Sequence, residues 1–126
     1  VLRGLILDFA GVLTDPDAKD LLAVVDDLRR KRIRTALLSN ADGRGGNGPL
    51  ARHFDALVFS GEVGLAKPDP RVFLLTAERL GLPAPACVMV DDSRRNIEGA
   101  TAAGMVGVHH TSVEGTLAEL SALFPA

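Results

Sequence analysis

The chain carries a single cysteine, Cys87, in 126 residues. That excludes an internal disulfide and any zinc site built from several thiolates, and it fits a reducing compartment. No apolar run approaches the ~20 residues needed to cross a bilayer. No stretch has the charged, apolar, small-residue order of a secretory leader. A cytoplasmic protein without a membrane partner is therefore expected. Charge of one sign is lacking too, since 14 Lys and Arg stand against 16 Asp and Glu, a formal −2. Such a balance gives no broad attraction to nucleic acid or to an anionic surface. Disorder is disfavoured in turn, because 47% of the residues are apolar and 24% charged. A chain of this length forms one domain, residues 1–126, with a core that needs no staple.

What the chain does have is alternation. Leu5–Phe9, Thr35–Ser39, Ala56–Phe59, Cys87–Val90 and Val106–His109 are short apolar runs, which read as strands buried on both faces. Helical patterns separate them. One runs from about Lys19 to Arg32, with Leu21, Leu22, Val25 and Leu28 as its apolar stripe. Another opens at Pro70, capped by Asp69, and stops at Gly81. The last two run from Ser93 to Gly104 and from Val113 to Leu123. Strands separated by helices predict an α/β fold with a mostly parallel sheet covered on both faces. In such sheets ligands bind beyond the carboxyl ends of the strands, where the strand order reverses. Asp8, Ser39 and the pair Asp91-Asp92 all fall at such ends.

Taken singly, these acids are ordinary turn or cap residues. Together at one sheet edge they would repel one another unless a cation sat among them, and an all-oxygen donor set suits Mg2+. Lys67 lies in the stiff turn GLAKPDP, between Gly64 and Pro68. Its ammonium is expected near the acids, where it would neutralise them and hold a phosphate oxygen. Ser39-Asn40 adds a hydroxyl and an amide. Other features read as structural. The segment NADGRGGNG contains G-x-G-x-x-G over 43–48 but lacks the strand and acidic context of a dinucleotide site, so it is expected to be a loop. RRKRIR, residues 29–34, ends a helix and complements its dipole. Arg94-Arg95 reads as a solvated pair, and Cys87 as a buried, inert thiol.

Four segments in order, LILDFAGVL, TALLSN, GLAKPDPRVF and VMVDDSRRNIEGATAAGMVGVHH, resemble the haloacid dehalogenase-like (HAD-like) hydrolase superfamily over nearly the whole chain. The resemblance implies a Rossmann-like three-layer sandwich whose parallel five-stranded sheet has the order 5-4-1-2-3. Its switch point would lie between the strands carrying Asp8 and Asp92. It further implies Asp8 as a nucleophile that forms an aspartyl-phosphate. Mg2+ would be held by Asp8, the backbone carbonyl of Ala10, and Asp92, with Asp91 and Asn96 as outer partners. Ser39 and Lys67, helped by Asn40, would hold the phosphoryl oxygens of a phosphorylated small molecule or macromolecule.

Ala10 departs from that pattern. Phosphatases of the family carry a second Asp there, which protonates the leaving oxygen and then activates water. Such catalysis is worth about 10²–10⁴-fold, so alkyl phosphates would suffer most and aryl or acyl phosphates least. Members that cleave carbon–phosphorus bonds also carry Ala, but they use a lysine from a cap domain for which this chain has no room. Dehalogenases lack the second Asp too, yet typically work without metal, which the intact acidic pair argues against. His53, His109 and His110 read as core or strand-end histidines rather than as a replacement base. Two readings stay open. One is a slow Mg2+-dependent phosphohydrolase or phosphotransferase. The other is a non-catalytic domain that binds Mg2+ and a phosphorylated ligand or partner.

Overall fold

Alternation inside each strand sorts the core into two layers. The computed structural model describes residues 1–42 and 48–125, so the glycine-rich match over 43–48 lies, apart from Gly48, outside the described residues. The strands are β1 (Gly4–Leu7), β2 (Arg34–Ser39), β3 (Ala56–Phe59), β4 (Cys87–Asp91) and β5 (Val106–His109). All neighbours pair in parallel, in the order β3-β2-β1-β4-β5. Read from the other edge, this is the expected 5-4-1-2-3.

The helices are α1 (Ala18–Arg30), the single turn α2 (Ser60–Val63), α3 (Pro70–Leu80), α4 (Arg94–Ala102) and α5 (Val113–Leu123). Leu5, Leu7, Val88 and Val90 face α1 and α5, meeting Leu21, Val25, Leu28, Val113 and Leu120. Ile6, Ala36, Leu38 and Met89 face the other way, toward Val72, Phe73, Ala77 and Ala100 of α3 and α4. Because successive strand side chains point to opposite faces, a continuous apolar run fills both layers at once. Only a turn and α1 separate β1 from β2, so no cap domain is inserted there.

Helix ends follow local chemistry. Asp69 accepts from the Arg71 amide at 2.9 Å, with Pro70 at the first position, and Gly81 closes α3 at φ 71°. Ser93 and Ser112 accept from the Asn96 and Gly115 amides at 3.2 and 3.0 Å. Some boundaries, and one element, differ from expectation. β1 stops at Leu7 rather than Phe9, because the chain turns at Asp8, whose carboxylate accepts from the Phe9 amide at 2.9 Å. α1 ends at Arg30 rather than Arg32, which takes a left-handed φ of 68°. α2 was not anticipated; four residues are too few to show a period.

Helix α4 approaches the lysine turn so closely that a Cβ on Gly99 would overlap the Pro68 carbonyl. Gly99→Ala should therefore lower stability by about 1–3 kcal/mol through overpacking, which urea unfolding measures. An unchanged midpoint would mean that the helix and the turn can separate freely.

Candidate active site

The order of the sheet reverses between β1 and β4, and the residues just past their ends, with those past β2, converge there. β1 delivers Asp8, which is 7% exposed. The turn after it is set by backbone angles. Ala10 (φ −66°, ψ 129°) followed by Gly11 (φ 82°, ψ −7°) is a type II turn, whose second central residue needs a positive φ. Gly11 is required a second time because a Cβ there would collide with the Asp92 carboxylate. Thr14 Oγ1 accepts from the Gly11 amide at 2.9 Å. The Ala10 side chain is exposed.

Lys67 sits at the centre and is buried. Its ammonium donates to Asp8 Oδ1 at 2.7 Å, to Asp91 Oδ2 at 2.8 Å and to the Leu38 carbonyl at 3.1 Å. Those contacts use all three donors of a lysine. The turn carrying it is clamped by Asn40, whose amide donates to the Lys67 carbonyl and accepts from the Lys67 amide, both at 3.0 Å. Asp91 is fully buried and fully engaged. Oδ1 accepts from the Ser93 amide at 2.9 Å, and Oδ2 accepts from Lys67 and from Asn96 Nδ2 at 3.2 Å. Asp8 differs. Oδ1 takes both the Phe9 amide and Lys67, whereas Oδ2 takes no hydrogen bond among the described residues.

Asp8, Asp91 and Asp92 offer carboxylate oxygens all within 4.8 Å of one another. One ammonium touches Asp8 and Asp91 and leaves the exposed Asp92 without that neutralisation. Three acids against one lysine leave the cluster negative, and its donors are all oxygen, so the residues fit Mg2+. Burial pushes the Asp8 carboxyl up from 3.8 to about 6, although Lys67 pulls the other way.

These distances bring Asp8, Lys67, Asp91 and Asn96 into one network, with Asp92 beside them and buried Ser39 at the end of β2. A family model for haloacid dehalogenase-like hydrolases matches residues 2–104. The chain belongs to that family. It is 33% identical to a phosphorylated carbohydrates phosphatase of Thermotoga maritima over 80% of this chain and 49% of that one. It is 36% identical to a phosphoserine phosphatase of Thermus thermophilus over 74% of this chain and 39% of that one. The chain thus spans half or less of those curated relatives. A crystal structure of an uncharacterized protein from Corynebacterium glutamicum ATCC 13032 Kitasato matches almost end to end. Its TM-score is 0.90 at 34% identity, covering 98% of this chain and 95% of that one.

The three histidines have other neighbours, although His109 rests on the backbone of Asp92 and the buried His110 Nε2 makes no hydrogen bond among the described residues. His53 Nδ1 lies 2.7 Å from Asp26. His109 Nε2 donates to the Asp92 carbonyl oxygen at 2.9 Å. His110 is buried, with Nδ1 2.6 Å from Thr116 Oγ1 and Nε2 3.7 Å from Asp15. Cys87 is buried, and burial pushes its thiol up to about 11, far from a reactive thiolate. Sequence reasoning missed the Leu38 carbonyl and the Asn40 clamp. No sequence signal marks the first; an Asn directly after a strand-end Ser could have hinted at the second.

A carboxyl that ionises later in the folded chain than in the unfolded one favours folding while protonated. That contribution is complete below pH ~4 and is lost as pH rises through about 6. In EDTA, Asp8→Asn should therefore gain on the wild type as pH rises, by about 5 °C in melting temperature between roughly pH 4.5 and 7.5. A difference that does not change with pH would show that Asp8 ionises normally.

Proposed function

We propose that this domain is a Mg2+-dependent phosphohydrolase or phosphotransferase working through an aspartyl-phosphate on Asp8, slowed by Ala10. The observation that carries this reading is the asymmetry of Asp8. One carboxylate oxygen is fixed by Lys67 and the Phe9 amide, and the other is left to attack. Membership of the family and the phosphatases among its relatives support the reaction class.

Asp8 Oδ2 attacks phosphorus in line, forming the acyl phosphate as the bond to the leaving oxygen breaks. Asp8, the carbonyl of Ala10 and Asp92 would hold Mg2+, which when bound supplies positive charge for the phosphoryl oxygens. Asp91, anchored by Ser93 and Asn96, keeps Lys67 in place. Ser39 offers its hydroxyl to a phosphoryl oxygen, and Asn40 holds the lysine turn. Lys67 acts first through its field, because a hydrogen bond to the phosphoryl group requires it to release one of its three acceptors. Residue 10 supplies no proton, so the leaving group departs as an anion, which favours aryl and acyl phosphates. Phe9 and Ala10, directly after Asp8, are exposed, which suits a large substrate.

Ala10 also favours a second reading, in which the same residues bind Mg2+ and a phosphorylated ligand without turnover. Steady-state hydrolysis of an aryl phosphate with Mg2+ separates the two. The proposal expects wild-type turnover well above an Asp8→Asn blank and roughly 10²-fold or more faster turnover for Ala10→Asp. Turnover by Ala10→Asp alone would sink the enzymatic reading and leave the binding one. The substitution itself should be tolerated within about 0.5 kcal/mol, because the side chain is exposed.

A further inference from the structure

A concavity lies at the end of the sheet opposite Asp8, where the strands begin. It has a volume of about 690 Å3, and its walls are the last turn of α1, the start of β2 and the end of α3. Five arginines line it: Arg29, Arg30, Arg32, Arg34 and Arg79. Two aspartates oppose them, and both are taken. Asp55 accepts from Arg29 at 3.0 Å and from the Thr35 amide at 2.8 Å, while Asp26 sits 2.7 Å from His53. In a chain of net charge −2, this end is strongly positive.

Not all of that charge has structural work. Arg34 caps α3 by donating to the Leu80 carbonyl at 2.7 Å, and Arg29 donates to the Arg52 carbonyl at 2.7 Å. Arg30 reaches only the exposed Asp27, at 3.7 Å. Arg32 and Arg79, on different walls, form no side-chain hydrogen bond or ion pair among the described residues. The ends of α1 and α3 attract cations through their dipoles, but each amounts to about half a charge, so five guanidinium groups exceed what they need. Arg32 also stands at a left-handed position, φ 68°, just past α1, where glycine is the low-cost residue. An arginine there carries a backbone cost that a glycine would not.

We propose that this cavity binds a small organic anion carrying two or more phosphate charges, gripped between Arg32 and Arg79 with Arg30 at the rim. Planar guanidinium forks pair with phosphate oxygens in bidentate fashion, and the volume falls within the range of small-molecule sites. Apolar lining is confined to Ile33 and Leu80, so charge rather than burial supplies the affinity. The site is separated from Asp8 by the length of the sheet, and it stands whether or not Asp8 is catalytic.

Inorganic pyrophosphate is the probe, titrated into the 15N-labelled chain in EDTA and followed by amide chemical shifts. We expect saturable shifts at Ile33 and Leu80, weakened by salt. Arg32→Ala/Arg79→Ala should raise the apparent Kd by about tenfold, whereas Lys19→Ala/Arg71→Ala, removing the same charge elsewhere, should change it less than about twofold. Shifts confined to Ser39 and Lys67 would overturn the proposal, as would equal losses in the two double variants or no saturation at all. All three variants' folding is checked by their melting temperatures, and a single Arg79→Ala, exposed on α3, keeps the test valid if the Arg32 substitution perturbs the turn.

Discussion

The ammonium of Lys67 is the interaction on which the site's geometry depends. A buried lysine without partners would lose its charge or unfold its surroundings. Here it is compensated from the ends of three adjacent strands: Asp8 just after β1, the Leu38 carbonyl in β2 and Asp91 in β4. Only a parallel sheet brings three strand ends of the same polarity together, so topology comes before chemistry. The turn carrying Lys67 is in turn held from two sides, by the Asn40 amide and by the close approach of Gly99. Truncating one partner of such a network typically costs about 3–5 kcal/mol, because it strands a buried charge. The network also leaves Asp92 outside the reach of the ammonium, and that residual negative charge is what a divalent cation would meet.

The first turn separates two properties that travel together in phosphatases of this family. Its shape rests on Gly11 and on Thr14, and neither depends on the side chain at position 10. The position is exposed and has room for an aspartate, so the lack of one removes a proton carrier and leaves the backbone unaltered. For that reason the scaffold looks the same under the catalytic and the binding-only readings. The difference lies in kinetics, in whether the aryloxide can leave and water can attack without help.

Much of this was legible in the sequence, and the reasons differ from residue to residue. Continuous apolar runs marked the strands because both faces are covered. Caps such as Asp69-Pro70 and Ser93 marked the helix starts because their hydrogen bonds are local. Asp8, Lys67 and the Asp91-Asp92 pair stood out as charges next to buried runs. Partners chosen across the fold were not legible. Asn40 lies 27 residues before the backbone it clamps, and its amide reads equally well as a substrate contact until the turn is in place. Phe9 reads as strand because it is apolar, but the Asp8 carboxylate ends the strand by capping its amide.

The arginine run shows where averaged charge misleads. Reading residues 29–34 as complement to the end of α1 gives no part to Arg34, which binds the end of α3 instead, or to the bond from Arg29 to the Arg52 carbonyl. It does not account for Arg32, and nothing near it in sequence foretells Arg79 across the cavity. A formal charge of −2 suggested no electrostatic partner, yet that figure sums an acidic cluster at one end of the sheet and a basic cavity at the other. Beyond a Debye length of about 8–10 Å each end presents its own field to solvent. β2 spans the two, opening at Arg34 and closing at Ser39. On the proposed readings, one end takes a cation with its phosphate and the other an anion alone. Net charge therefore bounds what the whole surface attracts and leaves each end free to choose its own ligand.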